Sequence, residues 1–198
     1  MRHDILVFIV LAILISGCVQ QKGDVMNLTG KNVLIIIAHN GFRDEEFEQP
    51  YNLLSQAGAD VTVASSDTTT TRGILGKTVQ PDIRIDRVQV ENYDAIIFVG
   101  GVGAKEYFNN KTALSIAKQG YEQGRIIGAI CIAPSILANA GILDGKKATS
   151  FSSESENLES HGAIYTGSDV EVDGNIITAD GPQSANKFGR EIGKALVK

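Results

Sequence analysis

The sequence predicts one α/β domain in which a mainly parallel sheet is covered by helices on both faces. Three observations predict it. Continuous apolar runs at residues 33–38, 95–99 and 126–130 read as strands buried on both faces. Helical patterns alternate with these runs, the order that builds a parallel sheet through crossover connections. The third run stops at Cys131 and turns into a helix, with Ala129 and Ala133 two positions to either side. That is the layout of a nucleophile elbow, where the reactive residue sits on a strained turn and only small neighbours avoid collision.

Each element follows in order. After the first strand, Phe47, Tyr51, Leu54 and Ala57 recur at helical spacing, and Gly58 supplies a stop. Residues 61–64 form a second strand. The threonines at 68–71, with Gly73 and Gly76, punctuate a hairpin insertion that returns through residues 77–79. The strand at 95–99 ends in Gly100-Gly101-Val102-Gly103, and a helix over 113–123 leads to the strand before Cys131. The helix after Cys131 runs to Asn139 and is closed by Gly141. Residues 170–172 and 176–178 flank Asp173-Gly174-Asn175, a hairpin signal. Ser184 stands where it can N-cap the last helix, whose Phe188, Ile192 and Leu196 form one apolar stripe. No internal repeat and no second domain is visible.

Ahead of this domain the chain reads as a leader. Arg2 gives a positive start, residues 5–15 are an unbroken apolar run, and Ser16-Gly17-Cys18 follows. The run is too short to span a bilayer and fits a signal-peptide core. Small residues before a cysteine resemble the lipobox of prokaryotic lipoproteins, in which Cys18 is lipidated and becomes the mature N-terminus. The expected organisation is a signal peptide at 1–18, a polar tether at 19–30 and a single domain at 31–198. That places the domain on the extracytoplasmic face of the cell membrane, held by a lipid anchor. Two other readings stand beside it: an uncleaved weak anchor, or a cytoplasmic protein translated from Met26.

The net charge of −5 and the absence of any Lys/Arg cluster exclude the electrostatic footprint of a nucleic-acid binder. The chain has 2 cysteines. With Cys18 lipidated, no internal disulfide can form, and a thiol retained outside the cell is better explained by reactivity than by stapling. A buried structural cysteine is the alternative reading of Cys131.

In a parallel sheet, sites form at the carboxyl ends of the strands. The first strand delivers His39 and then Phe42-Arg43-Asp44-Glu45-Glu46. The third delivers Gly100 and Gly101, whose backbone N–H groups can serve an oxyanion. The elbow delivers Cys131 and the N–H of Ile132. The glycine run lacks the spacing of a dinucleotide fingerprint, and no cofactor or metal is predicted.

A family resemblance rests on these residues together. It takes in Glu46 ahead of Pro50, the run Leu53-Leu54-Ser55-Gln56-Ala57-Gly58-Ala59-Asp60-Val61, the Gly100-Gly101 turn and the Ala129-Ile130-Cys131 elbow. It extends through Ala138-Asn139-Ala140-Gly141-Ile142-Leu143-Asp144-Gly145 and Val172-Asp173-Gly174-Asn175. The set is similar to the ThiJ/PfpI superfamily across residues 33–196. The resemblance implies a flavodoxin-like three-layer sandwich, dimeric or higher. It implies Cys131 as nucleophile, Glu46 as the carboxylate that contacts the thiol, and Gly101 and Ile132 as oxyanion donors.

The chain also departs from the pattern. Protease-type members carry histidine directly after the nucleophile, where Ile132 stands; deglycase-type members carry one where Phe151 stands. His3 belongs to the leader and His161 to a loop, which leaves His39 as the one candidate for a substitute base, beside the alternative of a strand-end histidine that is simply hydrogen-bonded or exposed. Three functions follow. One is a cysteine hydrolase or glyoxalase/deglycase acting on a peptide or small carbonyl compound. The others are a redox sensor whose Cys131 is oxidised beside Glu46, and a chaperone-like binding module.

Overall fold

The computed structural model describes residues 26–198. The signal peptide, Cys18, His3 and residues 19–25 of the tether lie outside them. Eleven strands and five α-helices follow: β1 (Asn32–Ile36), α1 (Asp44–Gln56), β2 (Asp60–Ser65), β3 (Thr71–Arg72), β4 (Thr78–Val79), β5 (Ile83–Arg84) and β6 (Ala95–Phe98), then α2 (Lys111–Glu122), β7 (Ile126–Ile130), α3 (Pro134–Asn139), β8 (Lys147–Ala148), α4 (Ser155–Ser160), β9 (Ile164–Tyr165), β10 (Val170–Asp173), β11 (Ile176–Ala179) and α5 (Ala185–Leu196).

Seven strands make the main sheet in the order β10-β11-β7-β6-β1-β2-β5. Every neighbouring pair is parallel except the β10–β11 hairpin. Alternate residues of β7 show why the strands are apolar throughout. Gly128 faces Phe188 and Ile192 of α5, whereas Ile127 meets Gly120 of α2 on the other side. Helices α1 and α5 pack together on one face, and α2 with α3 on the other. The α/β sandwich predicted from the apolar runs is therefore the fold. The strand order reverses at β1, with β2 on one side and β6 on the other, so a crevice opens at the carboxyl ends of β1 and β6.

Both predicted hairpins form, β3–β4 and β10–β11. Asp44 secures the first: its carboxylate accepts from the N–H groups of Leu75 (2.8 Å) and Lys77 (2.7 Å). The Asn110 side chain caps α2 by accepting from Thr112 and Ala113. Among the described residues no helix is long and apolar enough to cross a membrane.

Three expectations need correction. The tether boundary at 30 is too late. Leu28 is fully buried in the core, its N–H donates to the Ala57 carbonyl (2.7 Å), and Met26 fills the space beside Gly193. Ser184 does not cap α5; its hydroxyl donates to Asp180 instead (2.6 Å). The helix after the elbow does not start at Cys131. A turn over residues 131–133 intervenes, and α3 opens with Pro134 at its first position, where a missing N–H costs nothing.

Candidate active site

Three loops meet in the crevice. The β1–α1 loop leads to Glu46 in the first turn of α1, the β6 end supplies Gly100 and Gly101, and β7 ends at Cys131. Cys131 has φ +64°, alone among the described non-glycine residues in a positive-φ conformation. The left-handed region costs an L-residue about 1–2 kcal/mol, so the surroundings must hold this turn. They do so through the backbone. The Cys131 N–H donates to Ala179 (2.9 Å) and its carbonyl accepts from Phe151 (2.8 Å). Ala129 and Ala133, the small residues on either side of the elbow, are both fully buried.

The glycine pair is explained by close approach. A Cβ on Gly100 would stand 2.6 Å from both the Cys131 Cβ and Glu46 Oε2, and 2.7 Å from the Ile130 carbonyl. The thiol-bearing carbon and the carboxyl oxygen thus flank one point and lie at most twice that distance apart. Gly101 has φ +90° and a Cβ there would collide with the backbone of Arg43 and Gly41. No side chain fits at either position.

Glu46 is fully buried, and neither carboxyl oxygen has a hydrogen-bond partner of ordinary geometry. Burial pushes its pKa up to about 7, against the smaller downward pulls of the Cys131 thiol, the Arg43 charge and the Gly100 N–H. The Cys131 thiol is pushed up to about 12, first by burial and then by the negative charge of Glu46, while the N–H groups of Gly101 and Ile132 favour its thiolate. Two groups this close titrate as a pair. When Glu46 is protonated its repulsion vanishes and its O–H can donate to sulfur, leaving three donors around a thiolate.

These residues open into a cavity of about 410 Å³, lined by Glu46, Gly101, Cys131 and Ile132 together with Arg43, Ile74, Val102, Lys105, Phe151, Glu154 and others. Four of the five predicted site residues are therefore brought together. His39 is not. It does not line the cavity, and its backbone N–H donates to Glu106 (3.0 Å). His39 follows the first strand as expected, but its buried Nδ1 has no hydrogen-bond partner among the described residues and its side chain is not among those lining the cavity. His161 is exposed and its Nδ1 sits 2.8 Å from the Asn157 carbonyl. Both positions where the resemblance would have placed an imidazole, Ile132 and Phe151, line the cavity with apolar side chains. Among the described residues no cluster of His, Cys, Asp or Glu is arranged to hold a metal.

A parallel α/β sheet carrying one strained elbow cysteine, with glycine amides and a buried carboxyl beside it, has the layout of the nucleophile-elbow class of α/β proteins. The chain belongs to the DJ-1/PfpI family, whose profile matches residues 31–195. An uncharacterised protein of Methanocaldococcus jannaschii is 38% identical over 100% of this chain and 98% of its own length. A deglycase of Pyrococcus horikoshii is 32% identical over 82% of this chain and 98% of its own. Among solved structures, a ThiJ/PfpI domain protein from Brachyspira murdochii superposes with a TM-score of 0.82 at 29% identity, covering 85% of this chain and 98% of that one. DJ-1beta of Drosophila melanogaster gives 0.78 at 30% identity over 84% and 90%.

Proposed function

We propose that this protein uses Cys131 as a nucleophile on small reactive carbonyl compounds, as a deglycase or glyoxalase that needs no cofactor. The observation that carries the reading is the pairing of Cys131 with a carboxyl raised to about 7, inside a cavity of about 410 Å³. That volume suits a small molecule better than an extended peptide. Glu46 in its ionised form takes the thiol proton, and sulfur attacks the carbonyl carbon. As the S–C bond forms, the C=O electron pair moves to oxygen, where the N–H groups of Gly101 and Ile132 face the charge. The Pyrococcus relatives named deglycases support this substrate class. Purified protein is expected to consume methylglyoxal and to lose that activity in Cys131→Ala; a wild type that leaves methylglyoxal untouched refutes the reading.

A second reading is favoured by the lack of any imidazole among the residues lining the cavity. Without it the thiol serves as a redox sensor, oxidised to a sulfinate that a protonated Glu46 holds by hydrogen bonding. Mass spectrometry after mild peroxide treatment reads the two added oxygens on Cys131.

The same proposal includes a homodimer and a lipid anchor. Ile74, Val102 and Phe151 form an exposed apolar rim on the cavity, 44%, 69% and 49% accessible, which favours burial against a second copy. Size-exclusion chromatography with light scattering tests this. The anchor rests on the order of charge, apolar run and Ser16-Gly17-Cys18. The mass of the Cys18-bearing peptide from a membrane fraction tests it.

A further inference from the structure

Neither familiar imidazole is present, yet the cavity holds a second carboxylate besides Glu46. Glu154 lines it, on a one-turn 3-10 helix (Ser152–Glu154) that follows Phe151. Two connections fix it relative to the elbow. The Phe151 N–H donates to the Cys131 carbonyl (2.8 Å), and the Glu154 N–H in turn donates to the Phe151 carbonyl (2.9 Å). From the other side, the fully buried Ser135, four residues beyond Cys131, donates its hydroxyl to Glu154 Oε2 (2.7 Å). Ser153 donates to Oε1 (2.8 Å). Glu154 stands at the N-cap position of α4, but its side chain makes no capping bond to that helix. Among the described residues no cation pairs with it. A carboxylate excused from helix capping and ion pairing, tied by a buried hydroxyl to the elbow's own helix, is a positioned group.

We infer that Glu154 is the base that activates water to release an acyl group from Cys131, taking the place of the missing histidine. The inference rests on Cys131 acting as the nucleophile. Attack of the thiolate on a 2-oxoaldehyde followed by an internal proton shift leaves a 2-hydroxyacyl thioester on sulfur. A water molecule in the cavity then gives one proton to a Glu154 oxygen, each of which keeps a free lone pair beyond the one used by its serine. The water oxygen bonds to the acyl carbon, the C–S bond breaks, and its electron pair returns to Cys131. Glu154 passes the proton to that sulfur, so the sum is thioester plus water giving acid plus thiol. The two carboxyl groups divide the work. Glu46, buried against the thiol, governs its protonation; Glu154, facing the open cavity, handles water.

The test is Glu154→Gln in the full-length protein with methylglyoxal as probe. Steady-state turnover is expected to fall by about 10²–10⁴-fold, the usual contribution of a general base. Intact-mass spectrometry is expected to find the acyl adduct accumulated on Cys131, where the wild type shows none. Iodoacetamide should alkylate Cys131 at about the wild-type rate, since the groups that set the thiol's protonation, Glu46 and the N–H groups of Gly101 and Ile132, are untouched. Ser135→Ala keeps the carboxylate but releases one oxygen, and should lower turnover less while still showing the adduct. Turnover within threefold of wild type in both variants overturns the inference and leaves the nucleophile reading intact. Loss of adduct and of alkylation together in Glu154→Gln also overturns it, because that marks a purely structural role. A wild type that never turns over methylglyoxal overturns both.

Discussion

Glu46→Gln keeps the shape of a fully buried side chain and removes its ionisation, so it isolates what that ionisation costs the fold. In the folded protein the carboxyl titrates near 7 instead of its ordinary 4.5, chiefly because burial penalises the charge. At about 1.4 kcal/mol for each tenfold change in proton affinity, the difference amounts to about 3 kcal/mol. Below pH 4.5 folded and unfolded chains both carry the proton, and the contribution is full. Between 4.5 and 7 the unfolded chain has released its proton and the folded chain has not. Stability therefore falls by about 1.4 kcal/mol per pH unit. Above 7 the folded form ionises as well and the loss levels off. Glutamine has no such slope. Urea unfolding from pH 4.5 to 8 should find the two proteins nearly equal at the acid end. At pH 8 the Gln variant should be more stable by about 3 kcal/mol. Titrating groups away from this site act alike in both, so the difference belongs to Glu46 and the thiol coupled to it. Parallel pH profiles would refute the raised carboxyl and, with it, the account of how the thiol is controlled.

Gly100→Ala puts a methyl group 2.6 Å from the Cys131 Cβ and from Glu46 Oε2. It should cost about 1–3 kcal/mol in urea unfolding and suppress iodoacetamide labelling of Cys131. Cys131→Gly should be about 1–2 kcal/mol more stable than Cys131→Ala, because glycine adopts φ +64° without the penalty of a Cβ. Equal unfolding midpoints would show that the elbow is unstrained. Leu28→Ala should destabilise by about 2–5 kcal/mol, as expected for a fully buried leucine, and a change below 0.5 kcal/mol would return residues 26–30 to the tether.

The elbow was legible in the sequence because its constraints are local: an apolar strand, small flanking residues and a turn all lie within nine positions of Cys131. Glu46 was harder to single out among four neighbouring acids, and only family register pointed to it. The structure supplies a physical reason for each. Asp44 holds the β3–β4 hairpin, Glu45 pairs with Arg43 (2.8 Å) and Glu48 with Lys77 (2.7 Å), which leaves Glu46 facing inward. The helical phase carried that signal, since Glu46, Pro50 and Leu54 follow at steps of four and all are buried. Glu154 had no such signal. It reaches the cavity through Phe151 and Ser135, contacts set by packing between segments about twenty residues apart. Leu28 was missed because one leucine in a polar stretch has no period to read. Ser184 had the right residue type for a cap, but the Asp180 carboxylate captured its hydroxyl first.

The first turn of α1 joins parts of the molecule that do different jobs. Asp44 grips the backbone of the β3–β4 hairpin at Leu75 and Lys77, and two positions on Glu46 meets the thiol. Ile74, carried by that hairpin, is one wall of the cavity, yet it belongs to none of the strands that position Cys131. The cavity wall at Ile74 and the Cys131–Glu46 pair are thus joined through one helix end but encoded in separate stretches of chain. If the proposed function holds, the tip between Gly73 and Lys77 is where a different substrate would be admitted, with the Asp44 clasp keeping the hairpin in register and the Cys131–Glu46 pair unchanged.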